Sequence, residues 1–367
     1  MKNKLCLFFL LVLCSTACLA VKPRPLVYKG DTLPQSDMFT KRQLGSVKQS
    51  AGLPEISGIA CSRVTPGYLW MQSDDYESVI VATDERAQKR CKTVSFKKKI
   101  RWDWEDMSGG VYEGKNYLFI GAFGDNDETD GEYYIVYLEE PEISEESPTI
   151  SIEPTYIKFQ YPEGKLHNAE ALMYDNKEQM IYIITKVYYD VCQVFSLPFR
   201  LDYGEEMQTL SYVCDLGVKS DLGDGSKPFK GFHLVTAADI SPDGKYILIK
   251  NHNNIQAIFS WVLLWTREGD ESVSETLKNR QPVVISCYEY EWQGEAICWL
   301  DSTTFYTTSD SDGEPPIFKY TRRKTEDIQS VPFGSNGTGN RLVLIDNVLY
   351  VRSKEGLYTL DGRKISE

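Results

Sequence analysis

The chain has 367 residues, with 53 acidic side chains against 40 basic ones and a formal net charge of −13. Acidity on this scale repels nucleic acid and anionic lipid, so neither is expected as a partner held by charge. The longest apolar run lies at the start of the chain, over residues 5–14, and is shorter than the roughly 20 residues a helix needs to cross a bilayer.

Lys2 and Lys4, the apolar run and the small residues from Ser15 to Ala20 follow the order of a secretory signal peptide, with cleavage after Ala20. We therefore read residues 1–20 as a signal, 21–50 as an N-terminal segment contributing a closing strand, and 51–367 as the folded body. The expected location is extracellular. A periplasmic location, or a lipid anchor at Cys18 in Ser15-Thr16-Ala17-Cys18, is the weaker alternative, because Ser15 stands where a lipobox carries Leu. Without Lys2 and Lys4 the balance is 53 acids to 38 bases. That balance suits solubility and would also suit calcium.

Strands are predicted throughout. Runs of Tyr, Val, Ile and Thr, such as Met180-Ile181-Tyr182-Ile183-Ile184-Thr185, are broken by Asp-Gly, Asn and Pro clusters. Residues 268–281 are the best helical or loop insertion, being polar and charged. An internal repeat organises the strands. An acid before small and β-branched residues opens one strand, and a second strand with a polar end follows: Glu55 leads to Leu69–Asp74, Glu105 to Leu118-Phe119-Ile120 and Gly124-Asp125-Asn126, and Glu170, after Asn168, to the strand ending at Lys186. Asp239 leads to the strand ending at Asn251, and Glu295 to the one ending at Asp310. A degenerate sixth copy begins at Asn340-Arg341-Leu342-Val343. The steps between the five acids are 50, 65, 69 and 56 residues, which suits a four-stranded blade and is too uneven for a solenoid. The spacing predicts an all-β, six-bladed β-propeller, with Pro25-Leu26-Val27-Tyr28 as the strand that closes its last blade.

Six cysteines follow the signal: Cys61, Cys91, Cys192, Cys214, Cys287 and Cys298. An even number in an oxidising compartment predicts disulfides. Cys192 with Cys214 and Cys287 with Cys298 are the favoured pairs, since each would join neighbouring strands. Asn336-Gly337-Thr338 is a glycosylation sequon.

Glu55-Ile-Ser-Gly-Ile-Ala-Cys-Ser, Asp103-Trp-Glu-Asp-Met, Gly124-Asp-Asn, His167-Asn-Ala-Glu-Ala-Leu, Thr236-Ala-Ala-Asp-Ile-Ser-Pro-Asp-Gly and Gln293-Gly-Glu-Ala-Ile occur in that order over residues 54–320. Together they resemble a family of secreted β-propellers of unknown function, similar in style to phytase-like and gluconolactonase-like propellers. The chain departs at Gln72-Ser73-Asp74-Asp75, where that family more often carries His-Asn-Asp-Ser. The resemblance implies fold and location, and brings no activity.

No Gly-x-Ser-x-Gly, His-Glu-x-x-His or Walker sequence is present. His167, His233 and His252 are expected as ordinary polar residues. First strands of propeller blades line a central channel, so Glu55, Glu105, Glu170, Asp239 and Glu295 are expected to converge. Close carboxylates raise one another's pKa unless a cation or hydrogen bonds neutralise them. A structural hydrogen-bond device, a metal site and acid–base catalysis are the three readings. For the metal, Ca²⁺ is preferred, because too few His and Cys are present for Zn²⁺. Glu55, Glu105, Glu170 and Glu295 are the first-choice ligands; Asp239, Asn126, Asn168 and Asn251 are the second. Asp125–Gly131 fails the EF-hand spacing and is expected as an acidic surface loop. Three functions stay open: a monomeric, metal-stabilised module binding an extracellular ligand or protein; a Ca²⁺-dependent hydrolase of phosphoesters, lactones or esters; and a matrix- or mineral-associated protein.

Overall fold

Two burial patterns separate the strands. Ile56–Cys61, Ala169–Asp175 and Leu234–Ile240 are buried at every position, whereas Arg90–Phe96 alternates. A strand covered on both faces must be apolar throughout, and one at the rim of a sheet need not be. These patterns place the first strand of each repeat at the centre and the fourth at the periphery.

The computed structural model describes residues 25–47, 53–74, 78–101, 103–187, 190–220, 234–253, 256–288, 291, 293–310, 313–323, 341–345, 348–353, 356–359 and 364–366. The signal sequence, His233, Trp102, Trp292 and the Asn336 sequon lie outside them.

Blade 1 runs Ile56–Cys61, Tyr68–Ser73, Val79–Asp84, Arg90–Phe96 from centre to rim, and Thr149–Ile152 adds a fifth, parallel strand. Blade 2 runs Trp104–Tyr112, Lys115–Ala122, Tyr133–Glu139, Thr155–Gln160, with Gln208–Thr209 parallel at its edge. Blade 3 is Ala169–Asp175, Met180–Thr185, Cys192–Pro198, Ser211–Leu216; blade 4 is Leu234–Ile240, Tyr246–Asn253, Gln256–Thr266, Val283–Tyr288. Blade 5 is Ala296–Asp301, Thr304–Thr308, Pro316–Arg322, and takes its outer strand, Phe39–Ser46, from the N-terminal segment.

The propeller has five blades, not six. The inner strands pack in the cycle 1–2–3–4–5–1, and five apolar clusters fill the five interfaces between neighbouring blades. The sixth sequence copy forms a four-stranded sheet of its own, Arg341–Ile345, Val348–Ser353, Gly356–Thr359, Lys364–Ser366, whose strands, among the described residues, pair with one another. The N-terminal closure holds, through a different segment from the expected one. Leu26–Tyr28 pairs instead with Asp31–Thr32 and Lys219–Ser220, and its Leu26 and Tyr28 enter the core between blades 3 and 4.

Within 268–281 a helix forms at Val273–Asn279. A Ser272–Glu275 capping box starts it, and Val273 and Leu277 bury its inner face on that same core. Trp70, Trp104, Trp261, Trp265 and Trp299 are all fully buried between blades. The expected disulfides are not seen: among the described residues no disulfide joins Cys61, Cys91, Cys192, Cys214 or Cys298. Cys192 stands opposite Leu216 and Cys214 opposite Val194, so that pair is out of register. Cys298 faces Cys61 across the blade 1–blade 5 interface.

Candidate functional site

The inner strands share an irregularity that aims side chains at the axis. Register slips between Ile56 and Gly58, Trp104 and Met107, Ala169 and Ala171, and Val235 and Ala237. A bulge of this kind re-aims the extra residue. Equivalent positions are therefore Ser57, Glu105, Glu170 and Thr236, joined by Glu295 just ahead of Ala296. Cross-blade bonds confirm the layer: Ser57 Oγ donates to Glu295 Oε2 at 3.3 Å, and Thr236 Oγ1 to the Gly294 carbonyl at 2.7 Å.

One layer nearer the mouth, the carbonyls of Glu55, Asp103, Asn168 and Gln293 accept the amides of Asp74, Gly124, Lys186 and Asp310 at 3.0–3.3 Å. Glu55, Asp103 and Gln293 adopt φ of 48°, 75° and 42° there, a conformation that costs a non-glycine residue energy. Four partly buried acids stand at these strand ends, Glu55 and Asp74 in blade 1, Asp103 in blade 2 and Asp310 in blade 5. Gln293 Nε2 holds Asp310 Oδ2 at 3.0 Å.

Beneath this rim lie Glu105, Glu170, Glu295 and Lys186, exposed by only 4, 4, 6 and 8%. Lys186 Nζ is 2.5 Å from Glu170 Oε2 and 3.7 Å from Glu295 Oε1. Asn168 Nδ2 bridges Glu170 Oε1 at 3.5 Å and Asn126 Oδ1 at 3.1 Å. Burial, then the neighbouring carboxylates of Glu170, Asp103 and Glu295, push the Glu105 carboxyl well above the usual range, against Lys186. Burial pushes Glu170 up to about 7; Lys186 opposes and Glu295 adds to the rise. Burial alone would lower Lys186, but Glu170 and Glu295 outweigh it and hold the ammonium charged. Gly124 is required here, because a Cβ would strike the carboxyls of Glu105 and Asp103.

Glu105, Glu170, Glu295, Asn168 and Asn126 therefore come together. Glu55 sits two residues ahead of the axial position on the rim, and Asn251 is buried in the second strand of blade 4 opposite Val235. Asp239 lies three residues past the axial position. Its oxygens accept Ser108 Oγ at 3.0 Å and the Trp299 amide at 2.7 Å, so it is a link between blades. Asp125 is not a surface residue but is buried, and accepts the amides of Thr129 and Asp130 and the Tyr133 hydroxyl. Burial raises its pKa, and these bonds together outweigh that and leave it lowered. His167 packs on Tyr161 and Phe195.

Lys186 is the residue sequence reasoning passed over, although the repeat ends in Lys there where other copies end in Asp or Asn. Its ammonium holds the place between Glu170 and Glu295 that a Ca²⁺ would take. Among the described residues no three His, Cys, Asp or Glu side chains converge as metal ligands. In the axial set Lys186 is the cation paired with Glu170 and Glu295.

The chain is defined by this geometry as a five-bladed β-propeller with an acidic mouth. No protein-family model matches it, and no curated protein matches it in sequence. Among solved structures it is similar to a putative 6-phosphogluconolactonase from Bacteroides uniformis ATCC 8492, at 11% identity over 85% of this chain and 83% of that one, with a TM-score of 0.34. It is also similar to the Dos1 propeller, at 9% identity over 72% of this chain and 67% of that one, with a TM-score of 0.32.

Proposed function

We propose that this is a secreted, non-catalytic propeller that binds a positively charged extracellular ligand across its mouth. The observation that carries this reading is the rim of Glu55, Asp74, Asp103 and Asp310, set on equivalent strand ends of blades 5, 1 and 2. In the buried axial layer beneath it Lys186 pairs with Glu170 and Glu295, so a ligand would meet the rim first. Four carboxylates spread over three blades suit an extended charge, such as a polyamine or a basic peptide segment, better than a point ion. Calorimetric titration with spermine and with an oligolysine peptide tests this. Binding that weakens at high NaCl and is lost in Asp103→Asn/Asp310→Asn is expected; binding unchanged in that variant, or none in the wild type, overturns it.

A hydrolase is the second reading, favoured by one observation: burial pushes Glu170 up to about 7 and pushes the neighbouring Glu105 carboxyl well above its ordinary range, and carboxyls shifted in this way can serve as acid and base in hydrolysis. Turnover of a phosphoester, lactone or aryl ester that disappears in Glu170→Gln would replace the binding reading with this one.

A further inference from the structure

The ring closes where its first and last blades meet, along Ile56–Cys61 and Ala296–Asp301. At that seam Cys61 Sγ lies 3.4 Å from Cys298 Sγ, although 237 residues separate them in the chain. Both thiols are buried, 6 and 2% exposed, within the apolar cluster that includes Ile59, Leu69 and Tyr306. Two sulfurs in side-chain contact inside one interface need only a small rotation about their Cα–Cβ bonds to approach the roughly 2.05 Å of a covalent bond.

We propose that Cys61 and Cys298 are a disulfide site that clasps blade 1 to blade 5 on the axial side of the ring. The clasp would complement Phe39–Ser46, which fastens blade 5 at its outer edge by backbone hydrogen bonds. It assigns Cys298 to Cys61 and not to Cys287. Formation removes two electrons and two protons. One cysteine thiolate attacks a protein or small-molecule disulfide and expels a thiolate; the other cysteine then displaces the remaining half, leaving the Cys61–Cys298 bond and two thiols on the oxidant. In the packed seam, burial and the Cys61 thiol hold the Cys298 thiol well above its ordinary range. Exchange therefore belongs to the stage before the first and last blades have packed, and the finished bond is shielded from reductants.

Residues 21–367, refolded in a mixture of reduced and oxidised glutathione, test the assignment without reference to where the protein resides. Alkylation followed by trypsin and a glutamate-specific protease separates Cys298 from Cys287, since Glu291 and Glu295 lie between them. The expected product is a linked peptide pair carrying Cys61 and Cys298. For a loop of this length, reductant should lower the melting temperature by about 5–10 °C, and Cys61→Ala should abolish both the linked pair and that sensitivity. Recovery of Cys61 and Cys298 as alkylated thiols, or of Cys298 linked to Cys287, overturns the proposal. Should Cys61→Ala fail to fold, the peptide map of the wild type decides by itself.

Discussion

Asp239 accepts the Trp299 amide at 2.7 Å, so a side chain of blade 4 holds the backbone of blade 5. Asp106 does the same from blade 2: it accepts Leu172 N of blade 3 at 2.9 Å and Ala238 N of blade 4 at 3.1 Å, besides Met107 N of its own strand. Two fully buried carboxylates thus tie four of the five blades around the axis. Asp106→Ala strands three backbone donors and should cost about 3–5 kcal/mol. Urea unfolding measures this, and a loss below about 1 kcal/mol would show that the amides find other partners.

Lys186→Met leaves Glu170 and Glu295 buried without their cation. The single substitution should cost about 3–5 kcal/mol, and Lys186→Met with Glu170→Gln should recover a large part of it, because the pair then leaves together. A double-mutant cycle read by chemical denaturation would give a double-variant loss equal to the sum of the two single-variant losses if the two groups did not interact.

Stability should fall as pH rises from 5 to 8. Glu170 titrates at about 7 in the fold against 4.5 as a free side chain, and burial likewise raises Asp239 to about 6 from 3.8. Folding therefore favours the protonated forms. Their contribution is complete below the unfolded values and is lost for Asp239 between 3.8 and about 6, and for Glu170 between 4.5 and about 7. The expected drop is about 2–4 kcal/mol, because each tenfold gain in proton affinity on folding is worth about 1.4 kcal/mol. Glu170→Gln should flatten the profile between pH 6 and 7, and an unchanged slope there would refute the assignment.

Truncation separates ring from appendage. A chain ending at Arg323 keeps all five blades and should melt close to the full chain. Removing residues 21–47 takes Phe39–Ser46 from blade 5 and exposes the edge of Pro316–Arg322, so it should give a soluble yield several-fold lower and a tendency to self-associate. Size-exclusion chromatography and calorimetry distinguish the two. Collapse of the first chain would require the C-terminal sheet to be part of the ring.

The fold class was legible because β-branched runs and turn clusters mark strands locally. The blade number was not. Leu342, Val343, Leu349 and Val351 make a strand pair as plausible in sequence as any in the ring, and nothing local records which sheet a pair will join. Glu105, Glu170 and Glu295 were legible as axial residues because an acid inside a strand needs a reason. Glu55 and Asp239 satisfied the same rule two residues early and three late, since a bulge shifts the register without changing composition. Ser57 and Thr236, which hold their places, have no charge to attract notice. Lys186 was hidden by expecting only oxygen donors at strand ends.

The mouth is fastened by main-chain carbonyls at Glu55, Asp103, Asn168 and Gln293. A frame built this way keeps its shape whatever side chains it displays, and three of these residues already hold a backbone conformation that glycine adopts without penalty. Side-chain identity at the mouth is thereby uncoupled from the architecture below it. Related propellers would then be free to change what they recognise by exchanging a few rim residues, and a library confined to those positions would be a sound starting point for installing new binding specificities on this ring.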